Sequence, residues 1–195
     1  LTERNPNPYD GEPLYNLGLS LKYQGKTEEA YGFFYKACWN AAWQDAGYYS
    51  LAQLSVARGD WEEALYEIDK SLVRNWHNLR GRHLKATILR HLGRKEDALS
   101  LIEESLRMDR FNFGCGFEKF LLTGNDADWQ TLVSLMRPEA HNYEELALDY
   151  ASAGCWEEAL DVVDKVICMK VLGQTMLHYY KSWFLICLDR KEEAL

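Results

Sequence analysis

The stretch Gly59-Asp60-Trp61-Glu62-Glu63-Ala64-Leu65 decides how the rest of the chain is read, because it recurs. Upstream stands Gly25-Lys26-Thr27-Glu28-Glu29-Ala30-Tyr31. Downstream stand Gly93-Arg94-Lys95-Glu96-Asp97-Ala98-Leu99, Gly154-Cys155-Trp156-Glu157-Glu158-Ala159-Leu160 and Asp189-Arg190-Lys191-Glu192-Glu193-Ala194-Leu195. The alanines are spaced 34, 34, 61 and 35 residues apart. A fixed period in this range marks a stacked repeat array, in which no unit buries its apolar face alone.

Each copy reads as the turn between two helices. Glycine at Gly25, Gly59, Gly93 and Gly154 ends one helix in the left-handed backbone region, which a residue without Cβ enters freely. Asp189 takes that place in the last copy. The acidic pair that follows falls in the first turn of the next helix, where carboxylates meet the positive end of the helix dipole. Their repetition in like, exposed surroundings speaks against acid–base catalysis, which needs two carboxylates in unlike environments. The alanine then faces back onto the first helix. Its small partners there are Gly18, Ala52, Ala86, Ala147 and Ser182, and a third small site recurs at Ala37, Ser71 and Ser105, with Val166 as the exception. Large apolar residues complete the pattern at Leu17, Leu51 and Leu146 and at Phe34, Ile68, Ile102 and Val163.

This pattern of small, glycine and large apolar residues in a helix–turn–helix of about 34 residues resembles the tetratricopeptide repeat (TPR). The resemblance implies an all-α, right-handed superhelical solenoid of stacked helix hairpins. It divides the chain into an extended lead-in at 1–10, three regular repeats at 11–112, a degenerate short repeat at 113–139, a repeat at 140–174 and a partial, truncated repeat at 175–195. The family's proline near the end of each repeat is missing, with Ala42, Trp76 and Arg110 in its place. In the fourth repeat, short helices are expected near 117–122 and 127–137, capped at Asp126 or Asp128 and ended by Pro138. Gly114-Cys115-Gly116 is expected to break the helix and to leave Cys115 exposed. This short repeat is expected to bend the stack or alter its pitch.

The resemblance also implies a site. First helices of such repeats line a concave groove, which here places Tyr15, Leu19, Lys22 and Tyr23, then Tyr49 and Gln53, then Arg80, His83, Thr87, Arg90 and His91 along one face. Such a groove runs from aromatic through apolar to basic, and Tyr and Arg often anchor interfaces. It suits a peptide with an acidic stretch at one end. The chaperone-tail carboxylate clamp of some TPR domains is absent: Tyr15, Leu19, Ser50, Arg80 and Leu84 stand at its positions, and only Arg80 is similar.

Composition narrows the function classes. A net charge of −8 argues against a nucleic-acid phosphate binder and against an anionic membrane surface. No apolar run approaches a bilayer span. Five scattered cysteines without a CxxC pair point to reduced thiols and a cytoplasmic setting. His83 and His91 lie about 12 Å apart along a helix, too far to share one metal ion. The expectation is a non-catalytic protein-protein interaction scaffold that takes a protein or peptide partner and needs no cofactor. Both ends read as cut. The truncated last repeat leaves an apolar end at Trp183, Phe184, Ile186 and Leu195, to be covered by more chain or by a second copy. The alternative is a helical appendage of a larger multidomain bacterial protein, such as a carbohydrate-related enzyme whose catalytic domain lies outside this sequence. A third reading is a ligand sensor walled by Tyr15, Tyr49 and His83.

Overall fold

The computed structural model describes residues 10–194. These form two compact units, one within residues 1–92 and the other within 93–195. Both are built from α-helices.

The first unit holds α1 (Glu12–Tyr23), α2 (Thr27–Ala37), α3 (Gln44–Arg58), α4 (Trp61–Arg74) and α5 (Leu79–His91). Consecutive helices pack on one another, and α5 also reaches α3. The second unit holds α6 (Lys95–Met108), α7 (Phe113–Thr123), α8 (Asp126–Met136), α9 (Ala140–Ser152), α10 (Trp156–Met169) and α11 (Thr175–Cys187). Here α7 packs on α6, α8 and α9, while α10 lies against both α9 and α11.

The turn chemistry follows the recurring stretch. Gly25, Gly59, Gly93 and Gly154 have φ between 72° and 80°, and Asp189 has φ 58° in the same role. The residue after the turn sends its N–H back five residues: Lys26 to Leu21 O, Asp60 to Ser55 O, Cys155 to Tyr150 O and Arg190 to Leu185 O, at 2.8–3.1 Å. That bond satisfies a carbonyl the ended helix would otherwise leave open.

The small residues of the recurring pattern are packed away from solvent. Ala30, Ala64, Ala98 and Ala159 are fully buried, as are Ala52, Ala86 and Ala147. A Cβ on Gly18 would come within 2.8 Å of the Phe34 ring, so α1 and α2 are as close as a glycine allows. Phe34, Ile68, Ile102 and Val163 are likewise fully buried.

Several local expectations need correction. Gly114-Cys115-Gly116 does not break a helix; it lies inside α7, and Cys115 is buried. Asn112 starts that helix by accepting from Cys115 N at 3.2 Å, so the cap outweighs the low helix propensity of two glycines. A Cβ on Gly116 would come 3.0 Å from Leu132 Cδ1, so one of the two glycines serves the approach of α8. Asn125, not Asp126 or Asp128, caps α8 by accepting from Ala127 N at 3.0 Å. Of the apolar end, Phe184 is buried against Trp156 and Tyr180, with ring centroids 6.1 Å from each. Trp183 and Ile186 are exposed. Leu195, and all but the last residue of the expected lead-in at 1–10, lie outside the described residues.

Candidate partner-binding face

The eleven residues expected to line a groove all belong to the first unit, on α1, α3 and α5. One group of them comes together. Lys22, in the last turn of α1, donates from Nζ to Gln53 Oε1 on α3 at 2.7 Å. Gln53 Nε2 donates to Tyr49 OH at 3.2 Å, one helical turn away. One turn up the same seam, Ser50 Oγ donates to Tyr15 OH at 3.3 Å. Tyr15 packs against Phe34 and Trp43, with ring centroids 5.4 and 5.0 Å away. Trp43 in turn donates from Nε1 to Asp10 Oδ1 at 3.0 Å.

Lys22 is the electrostatic centre of this seam. Burial pushes its ammonium down from 10.5 to about 8, since removing the charge from water disfavours the protonated form. Leu19 is half-buried on α1, and Tyr23 is 86% exposed at the end of that helix.

The α5 residues divide differently. His83 and Thr87 are only 5% and 1% exposed, and Thr87 Oγ1 donates to His83 O at 3.2 Å. They line the packed side of α5. Arg80 is exposed and Arg90 is half-buried. His91 is exposed but lies flat on Trp61 of α4, with ring centroids 3.9 Å apart and planes 6° from parallel.

The sequence reading missed the polar groups beneath this face. Glu67 of α4 is 1% exposed and accepts from Tyr31 OH and Ser55 Oγ, each at 2.6 Å. Burial raises its carboxyl above the usual range, and the two hydrogen bonds offset part of that rise. Helical spacing could have found it: Glu67 stands three residues after Ala64 and four before Ser71, both fully buried. Arg82 is also fully buried, with its guanidinium 4.4 Å from the Trp76 ring centroid.

Among the solved structures that resemble the chain are three repeat proteins that it matches over most of its length. YrrB, described as a TPR protein with an unusual peptide-binding site, is 20% identical; the match covers 98% of this chain and 95% of that one, with a TM-score of 0.60. A tetratricopeptide repeat protein from Parabacteroides merdae is 20% identical, covering 99% and 78% with a TM-score of 0.63. TTC0263, a thermophilic TPR protein of Thermus thermophilus, is 18% identical, covering 91% and 98% with a TM-score of 0.58. The chain has the tetratricopeptide-repeat fold. No family model and no curated protein sequence matches it. At this identity the likeness speaks for the TPR fold alone. Among the described residues, no helix of this TPR chain is long and apolar enough to cross a membrane. Among the same residues, no three His, Cys, Asp or Glu side chains are placed to hold a metal ion.

Proposed function

We propose that the chain is a non-catalytic protein-interaction scaffold, and that the α1–α3 face around Lys22, Tyr49 and Gln53 takes a peptide segment of a protein partner. The observation that carries this reading is the half-buried Lys22 ammonium held against Gln53. Burial costs that charge part of its hydration. A carboxylate arriving beside it restores the lost stabilisation, and the exposed Arg80 and the half-buried Arg90 extend the preference for an acidic segment. Tyr23 and Tyr49 supply aromatic surface for neighbouring apolar side chains. The TPR fold accords with this use, and YrrB is one such protein with a peptide-binding site. A cytoplasmic setting fits an exposed thiol such as Cys168, which persists in a reducing compartment.

The test is a random peptide library selected on the wild-type protein, followed by affinity measurement on Lys22→Met and Tyr49→Phe. The expectation is enrichment of acidic peptides that bind Lys22→Met about tenfold more weakly. Equal affinity for wild type and Lys22→Met removes the site.

Self-association is a second reading, carried by the exposed stripe Met176, Tyr179, Trp183 and Ile186 along α11. Concentration-dependent sedimentation that Trp183→Lys abolishes supports it; a monomer at every concentration rules it out.

A further inference from the structure

The second unit contains a cleft where the short fourth repeat meets the helix before it. Its volume is about 150 Å³. Leu106 of α6, Arg110 in the turn after it, Gly116 and Lys119 of α7, and Leu132 and Leu135 of α8 line it. The cleft coincides with a local shortage of protein. Both α7 and α8 are 11 residues long, against 14 for α6 and α10. Gly116 withholds a side chain on the wall facing Leu132. An apolar cavity of about this volume holds one benzene ring.

The polar groups at the cleft differ in one respect. Lys119 is paired, with Nζ 2.9 Å from Asp128 Oδ1. Asp128 also accepts from Thr123 Oγ1 at 2.8 Å. These contacts outweigh the effect of burial and hold its carboxyl below the usual range, so the ion pair persists at neutral pH. Thr131 donates to Ala127 O at 2.8 Å. Arg110 has no carboxylate partner among the described residues; its guanidinium lies 4.8 Å from the centroid of its neighbour Phe111. The cleft thus offers an apolar, ring-sized floor and one uncompensated guanidinium at its edge.

We propose that this cleft is a binding site for a small free monocarboxylate bearing one phenyl-sized apolar group. The ring lies on Leu106, Leu132 and Leu135 opposite Gly116, and the carboxylate meets the Arg110 guanidinium, whose planar fork matches two carboxylate oxygens. Uncharged analogues lose the arginine contact. The site is independent of the α1–α3 face and stands or falls separately from it.

The experiment is a titration of the full chain, with labelled leucine and valine methyls, by phenylacetate and by phenylacetamide. Phenylacetate is expected to shift the methyl signals of Leu106, Leu132 and Leu135 saturably, with phenylacetamide about tenfold weaker. Arg110→Gln, at an exposed position, is expected to remove the difference between the two probes while leaving the methyl spectrum of the free protein intact. Gly116→Ala, which favours the helix and places a methyl toward Leu132, is expected to weaken both probes. No saturable shift with phenylacetate, equal binding of acid and amide, or an unchanged difference in Arg110→Gln overturns the proposal. So does a peptide ending in phenylalanine that binds this cleft when phenylacetate does not, because the occupant is then a chain end.

Discussion

Lys22 of α1 donates to Gln53 of α3 across 2.7 Å, and this single bond ties an amine of lowered pKa to the face that carries the candidate site. The consequence is a pH signature. The folded amine loses its proton near pH 8, while in the unfolded chain it keeps it to about 10.5. Between those values the unfolded state holds more protons, so this group makes stability rise with pH across the window; below about pH 8 its burial penalty is constant. Urea unfolding of wild type and Lys22→Met at pH 7 and pH 10 isolates the effect. The advantage of Lys22→Met over wild type is expected to shrink at the higher pH. A ¹³Cε titration of Lys22 with a midpoint above pH 10 contradicts it.

The close approach of α1 and α2 makes Gly18 intolerant of a methyl group. A Cβ there meets two Phe34 ring carbons at 2.8 Å, and Phe34 is fully buried. Gly18→Ala is expected to destabilise the fold by about 1–3 kcal/mol despite alanine's better helix propensity. Phe34→Ala is expected to cost about 3–5 kcal/mol by opening a cavity. Thermal unfolding of both variants checks the order. A Gly18→Ala protein more stable than wild type would show that α1 moves away at little cost.

Glu67 is a buried acceptor shared by two helices. Tyr31→Phe removes one of its two hydroxyl donors and is expected to lower stability by about 1–2 kcal/mol. Because Glu67 titrates above the usual range, its penalty grows as pH rises from the ordinary glutamate range through the folded value. The deficit of Tyr31→Phe is therefore expected to be largest above the folded value and to narrow as pH falls through it toward the ordinary glutamate range. A deficit independent of pH would mean that Tyr31 acts only through packing.

Asp189 occupies a left-handed turn that four glycines occupy elsewhere. Its Cβ makes that conformation unfavourable, and its 3.2 Å contact with Lys191 is an exposed ion pair of small worth. Asp189→Gly is expected to stabilise the second unit by about 0.5–1 kcal/mol, a gain read as a higher denaturation midpoint. A lower midpoint would assign Asp189 a role beyond the turn.

The hairpin architecture was legible because its determinants are local. A glycine forced to positive φ, an acidic first turn and an alanine at a helix crossing each leave a fixed residue type at a fixed offset. Gly114-Cys115-Gly116 misled because composition was read without the cap: Asn112 supplies the missing initiation one residue before the helix. The candidate face was legible only as a set of positions. The resemblance to the repeat family implied one face for Tyr15, Lys22, Tyr49 and Gln53, and the structure joins Lys22, Gln53 and Tyr49 into one hydrogen-bonded run. It did not reveal that His83 and Thr87 are buried while Arg80 is exposed, because that depends on how deeply neighbouring helices cover α5. The cleft at Arg110 was hidden for a like reason. It arises from what the shortened helices leave out, and a missing residue carries no signature of the space it vacates.

The most direct test of the central claim is amide hydrogen exchange on the full chain, with and without a peptide selected from the library. Binding along α1 and α3 predicts new protection in Tyr15–Tyr23 and Tyr49–Gln53, absent in Lys22→Met, with α2 and α4 unchanged. Protection confined to α2 and α4, or protection that survives in Lys22→Met, contradicts the account and moves the partner to the other side of the hairpins.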